Sequence, residues 1–246
     1  MIRLIFTLTL GQLIRQRRAL LLALLAAIPI AIALLFRFAS DQADDRLPEF
    51  VAGAMDSFIV AIGLPLTALI LGTAALGQEF EDGTAFYLFS KPIGRWQIVV
   101  GKLLAAWLAC GVFVVIAVLG TGAPLVGQPD EDGLVLAFVV ATVAGALAYS
   151  ALFIALSIRF NRALVIGLAY VFVWEGLVSN YVEGVRFFSL RAYTRGIADA
   201  LTDAPVEVFE ARLDGPTAAI LAAVMVLITA AYAIRRLNRY EFSERV

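Results

Sequence analysis

Six apolar segments dominate this chain, at roughly 19–36, 58–76, 99–120, 134–158, 164–182 and 217–234. A membrane-spanning helix needs about 20 mainly apolar residues, and each run meets or approaches that length. Lipid offers the backbone no hydrogen-bond partner, so such runs become helices. The expected fold is an all-α membrane protein with six transmembrane helices, forming a single transmembrane domain over 1–246. Composition agrees: 62% of residues are apolar and 16% charged, whereas a soluble domain is nearer half apolar and a quarter charged.

Lys and Arg in short loops orient such a bundle. With the N-terminus inside, thirteen of the nineteen basic residues fall on the inner side. The other six are Arg37, Arg46, Arg186, Arg191, Arg195 and Arg212, four of them in one long outer loop. Fourteen of the twenty acids lie outside, including Asp41, Asp44, Asp45 and the run Asp130-Glu131-Asp132. Both termini are expected in the cytoplasm of a bacterial cell, with the chain a multi-pass protein of the inner membrane. Residues 1–18 carry Arg3, Arg15, Arg17 and Arg18 and read as a helix lying in the membrane plane. The apolar run behind them is too long for a signal peptide, so an uncleaved first span is expected. The outer loop 183–216 is half apolar and should contain short helices or a partial re-entry.

Within the spans, Ala137, Ala141, Ala144, Ala148, Ala151 and Ala155 form a small-residue seam suited to close helix packing. Pro29 and Pro65 favour kinks. Glu175 is the one acid clearly inside an expected span. An ionisable residue there is a candidate for pathway or gate work by default. The bland alternative is a hydrated carboxylate paired with Arg186 or another outer-loop arginine. With no histidine and only Cys110, zinc sites, Ser-His-Asp chemistry and intrachain disulfides are not expected. Net charge is −1, and no nucleic-acid partner is expected.

The loop over 77–98 carries more chemistry than a turn requires. From Lys91 onward it has a structural explanation: Pro92 directs the chain, and Arg95, Trp96 and Lys102 anchor the next span at the inner interface. Gly101-Lys102 is no phosphate-binding loop, since Trp96 and Leu103 occupy positions that need glycine and a hydroxyl. The preceding half is different. Glu79, Glu81 and Asp82 form an acidic edge, and Gly83-Thr84 can start a short helix. Phe86, Tyr87 and Leu88, running to Ser90, then need a cover of lipid or protein.

This loop reads E-x-E-x-G-T … L-x-S-x-P-x-x-R-W-x-I-x-x-G-K through Glu79, Glu81, Gly83, Thr84, Leu88, Ser90, Pro92, Arg95, Trp96, Ile98, Gly101 and Lys102. With six spans and a basic N-terminal helix, it resembles the permease of a bacterial type-two (ABC-2-like) ABC transporter. The resemblance implies two permease copies, a homodimer being expected, above two copies of a separate ATPase that alone binds ATP and Mg. No cofactor would be held by this chain, and it would not itself be an enzyme. Thr84 to Ser90 would be the coupling helix, with Glu79, Glu81 and Asp82 as polar contacts. The outer loop would close the extracellular gate, and most such permeases export their substrate. Two other classes stay open. One is a self-sufficient secondary transporter or channel. The other is a membrane anchor or mechanical relay between an ATPase and an extracytoplasmic protein. The residues specify no cargo.

Overall fold

The computed structural model describes residues 2–15, 18–39, 43–81, 94–126, 133–179, 183–202, 211 and 213–239. Those residues fold almost wholly as helices. In chain order they are α1 (Ile2–Arg15), α2 (Arg18–Ala39), α3 (Ala43–Ala54), a π-helical segment (Met55–Gly63) and α4 (Leu64–Glu81). Then come α5 (Arg95–Gly122), a 3-10 turn (Ala123–Leu125), α6 (Leu134–Arg159), α7 (Ala163–Ala169) and a second π-helical segment (Tyr170–Val178). A 3-10 turn (Glu183–Phe188), α8 (Leu190–Asp199) and α9 (Gly215–Asn238) complete the chain.

Among the described residues, five helices are long and apolar enough to cross a membrane: Ala19–Ala39, Arg46–Gly77, Arg95–Leu125, Leu134–Arg159 and Gly215–Asn238. The expected span at 164–182 is a shorter apolar helix, Ala163–Val178. Its 16 residues reach about 24 Å at about 1.5 Å per residue, short of a hydrocarbon core of about 30 Å. The expected second span also changes. It was placed at 58–76, but the helix is continuous from 43 to 81 and takes in most of what reads as a polar outer loop. Arg46, Glu49 and Asp56 interrupt the apolar run there without interrupting the helix.

α6 is the hub, packing against α4, α5, α8 and α9. Its alanine seam supplies the contact surface: Ala137, Ala141, Ala148, Ala151 and Ala155 are buried. Small residues matter because dispersion contact, not hydrophobic expulsion, holds helices together in lipid. At Gly72 of α4, an added Cβ would lie 3.1 Å from Phe153 Cβ. By contrast α2 and α9 leave most of their apolar surface uncovered, with Leu21, Leu24 and Leu35 on α2 and Leu227 and Ile228 on α9 exposed.

α1 buries Ile5, Thr9 and Leu13, spaced four apart, and exposes Leu4 and Leu8. It lies chiefly on α5, where the missing side chain of Gly101 leaves room for Ile5. The three residues expected to anchor the inner interface take different positions. Trp96 is half exposed. Arg95 donates to the Leu237 carbonyl at the C-terminal end of α9, a favourable place for a cation. Lys102 is 2% exposed, and its ammonium donates to the Ala75 carbonyl of α4 at 2.5 Å. Its charge is thus spent on tying α5 to α4 inside the protein.

Gly145 makes a tight helix crossing against α8, which carries part of the polar centre described below. A Cβ there would lie 2.5 Å from Thr194 Oγ1 of α8 and 2.8 Å from Leu64 Cδ2 of α4. Gly145→Leu should therefore destabilise the protein by about 1–3 kcal/mol or more, read as a lower thermal unfolding midpoint in detergent. Gly111→Ala, inside α5 and meeting nothing within 4 Å, should hold the midpoint or raise it slightly, since Ala favours a helix over Gly.

Candidate functional site

Two acids are buried in the apolar helices: Asp56 at 5% exposed and Glu175 at 2%. Each lies in a π-helical segment, Asp56 in Met55–Gly63 and Glu175 in Tyr170–Val178. These are the only π-helical segments among the described residues. Such segments are rare and tend to occur at functional sites, because the extra residue per turn re-aims side chains. Here both re-aimed carboxylates converge on α8.

α8 is a ten-residue helix outside the spans. Ser189 caps it, accepting a hydrogen bond from the Ala192 amide at 3.1 Å. The remaining free amides of the first turn turn toward Glu175. The Leu190 amide donates to Glu175 Oε1 at 2.8 Å and the Arg191 amide at 3.5 Å. The Tyr170 hydroxyl also donates to Oε1, at 2.9 Å, and the Ser189 hydroxyl donates to Oε2. A carboxylate from one helix therefore completes the N-terminal cap of another. It satisfies donors that would otherwise be orphaned and meets the positive end of the helix dipole.

One turn further, Arg195 grips Asp56 with both arms of its guanidinium: Nε donates to Oδ1 at 2.5 Å and Nη2 donates to Oδ2. Arg191 Nη2 lies 3.9 Å from Asp56 Oδ2. Spaced four apart, Arg191 and Arg195 lie on one face of α8, while Leu190, Tyr193, Thr194 and Ala198 are buried. Two carboxylates and two guanidiniums give the cluster zero net formal charge, the condition under which such groups tolerate a low-dielectric setting. Burial, followed by the Arg195 cation, lowers the pKa of Arg191, against the opposing pull of Asp56. Burial and then Glu175 push the Tyr193 phenol up to about 12, so it remains a neutral donor, bonded to the Phe187 carbonyl. The cluster is not saturated: Arg191 Nε is buried with no hydrogen-bond partner among the described residues.

Glu175, singled out from the sequence, thus sits at the centre of a built site. Asp56 was not singled out, because it falls just ahead of the span expected at 58. Its signal was an acid flanked by apolar residues on both sides, in VAGAMDSFIVAIG. Glu79 and Glu81 lie on the last turn of α4, remote in sequence from this site. Asp82, Gly83, Thr84, Phe86, Tyr87, Leu88 and Ser90 lie outside the described residues. Among the described residues no group of His, Cys, Asp and Glu could hold a metal ion.

This arrangement defines a multi-pass helical membrane protein whose polar centre binds the ten-residue α8 to one long spanning helix and to the shorter apolar helix that carries Glu175. The chain matches the model of the ABC-2 family transporter protein over residues 4–239 and belongs to that family. Family membership and the apolar helices together make it a multi-pass membrane protein of the ABC-2 class. An uncharacterized protein of Mycoplasma pneumoniae (strain ATCC 29342 / M129 / Subtype 1) is 30% identical over 154 residues, covering 58% of this chain and 18% of that protein. The chain therefore spans less than a fifth of that relative's length.

Removing Asp56 alone leaves two guanidiniums facing one carboxylate. Asp56→Ala should cost about 3–5 kcal/mol, the usual penalty for stranding a buried charge. The double variant Asp56→Ala/Arg195→Ala restores neutrality and should recover part of that loss. Unfolding midpoints of the two variants and of Arg195→Ala, taken as a double-mutant cycle, measure the coupling.

Proposed function

We propose that this chain is the membrane permease of an ATP-driven ABC exporter, with ATP hydrolysed on a separate subunit. The observation that carries the reading is the family match over residues 4–239. In this reading two permease copies form the pathway in a bacterial inner membrane, both termini face the cytoplasm, and two ATPase subunits dock on segment 79–90. α8 then lies at the extracellular side and closes the gate.

The geometry supplies a route from docking to gate. One continuous helix runs from 43 to 81. Its C-terminal end leads into the proposed docking segment, and near its other end it carries Asp56. From Asp56 to Glu81 is about 38 Å at about 1.5 Å per residue. A continuous helix of that length can pass a tilt at the ATPase surface to the Asp56–Arg195 grip on α8. The unsaturated Arg191 Nε favours a network that can re-pair, since opening it forfeits fewer bonds than opening a fully satisfied one.

A secondary transporter is less well supported. Its intramembrane acids would have to cycle between free and loaded states. Asp56 is held by both arms of Arg195, and Glu175 accepts four hydrogen bonds. The same continuous helix does favour one second reading, a mechanical relay that passes ATPase motion to an extracytoplasmic protein through α8. An additional outer-face protein in the purified complex would distinguish the relay from an exporter.

Replacing Phe86 and Leu88 with glutamate should abolish co-purification of the ATPase subunit while membrane insertion stays normal. Undiminished ATPase binding by this double variant would overturn the docking assignment.

A further inference from the structure

A cavity of about 620 Å³ opens between α2 and the stretch from α3 into the first π-helical segment. Its volume lies within the range of about 300–1,000 Å³ typical of small-molecule sites. Arg46 and Glu49 stand at one end, and Phe36, Phe50 and Phe58 form apolar walls further along. Ser57, exposed and small, lines it as well. Phe36 and Phe50 stack with ring centroids 3.9 Å apart and planes within 6°, which pins α2 to α3.

Position along the helix matches this polarity to one leaflet. From Arg46 to Phe58 is about 18 Å at about 1.5 Å per residue, close to half of a hydrocarbon core of about 30 Å. Arg46 and Glu49 thus fall near headgroup level when Phe58 reaches toward mid-membrane. Both charged side chains are exposed, and no ion pair joins them to each other or to another residue among the described ones. A cation and an anion one helical turn apart complement a headgroup that carries both charges: Arg46 suits a phosphate and Glu49 a primary ammonium.

We infer that this groove binds one zwitterionic, amine-bearing phospholipid, with its phosphate on Arg46, its ammonium on Glu49 and an acyl chain along Phe36, Phe50 and Phe58. The site is separate from the Asp56 and Glu175 cluster. It does not depend on the chain's being a transporter.

The test uses the full-length chain reconstituted in nanodiscs containing equal amounts of phosphatidylethanolamine and phosphatidylglycerol, followed by mild extraction and mass spectrometry of the retained lipid. The wild type should retain phosphatidylethanolamine about tenfold over phosphatidylglycerol, the factor one charge-assisted hydrogen bond confers. Glu49→Gln, on the exposed rim, should bring the two lipids to parity. Ser57→Phe should fill the groove and lose both. Retained lipid that mirrors the nanodisc composition in the wild type would overturn the proposal, as would undiminished enrichment in Glu49→Gln. Efficient disulfide formation between two copies of Ser57→Cys would overturn it too, by showing that a second copy of the chain covers the groove.

Discussion

A carboxylate cannot rest in an apolar interior without partners, and the position of α8 follows from how Asp56 and Glu175 find theirs. Neither is satisfied by its own helix. Asp56 needs the guanidinium of Arg195, and Glu175 needs the amides of Leu190 and Arg191 with the hydroxyls of Ser189 and Tyr170. All but Tyr170 belong to α8 or its cap. The helix is correspondingly dependent on the acids, since its first-turn amides and its two arginines would otherwise be stranded. Breaking such a mutual arrangement on one side costs more than its formation yields, because the group left behind stays buried. α8 is therefore fixed in position by charge, although a ten-residue helix is too short to be stable alone.

Local backbone geometry makes that possible. Both acids occupy π-helical segments, where the widened turn points side chains away from the direction a regular helix would give them. Pro65 stands two residues past the end of the first of these segments and cannot donate a backbone hydrogen bond, which removes one regular helical bond at that end. Close packing does the rest. Gly145 of α6 lets Thr194 of α8 and Leu64 of α4 approach where a larger residue would hold them apart. The charged cluster and the glycine crossing thus share two parts of the chain: the continuous helix that carries Asp56 and Leu64, and α8.

Much of this fold was legible from hydropathy. The runs at 99–120, 134–158 and 217–234 became α5, α6 and α9 with ends displaced by a few residues, because those segments are apolar throughout. The second span was misplaced at its start. Arg46, Glu49 and Asp56 read as loop residues, yet two of them sit at the rim of a groove and the third is paired by a residue 139 positions away. Hydropathy scores a residue by its own polarity and cannot see a partner supplied from elsewhere in the chain. Glu175 was legible as an anomaly for that very reason. Its partners were not, since two of them are backbone amides that carry no side-chain signal. Lys102 shows the same limit: its place at the edge of an apolar run suggests an interfacial anchor, whereas its ammonium is turned inward to the Ala75 carbonyl.

The central claim is that Glu175 holds α8 in place by capping it from another helix. Amide hydrogen exchange across residues 190–199 tests this most directly, comparing the wild type with Glu175→Gln under identical detergent conditions. The account predicts faster exchange in Glu175→Gln at the first-turn amides of α8, spreading along the helix, while the amides of α5 and α6 keep their protection. Unchanged exchange across 190–199 would contradict it.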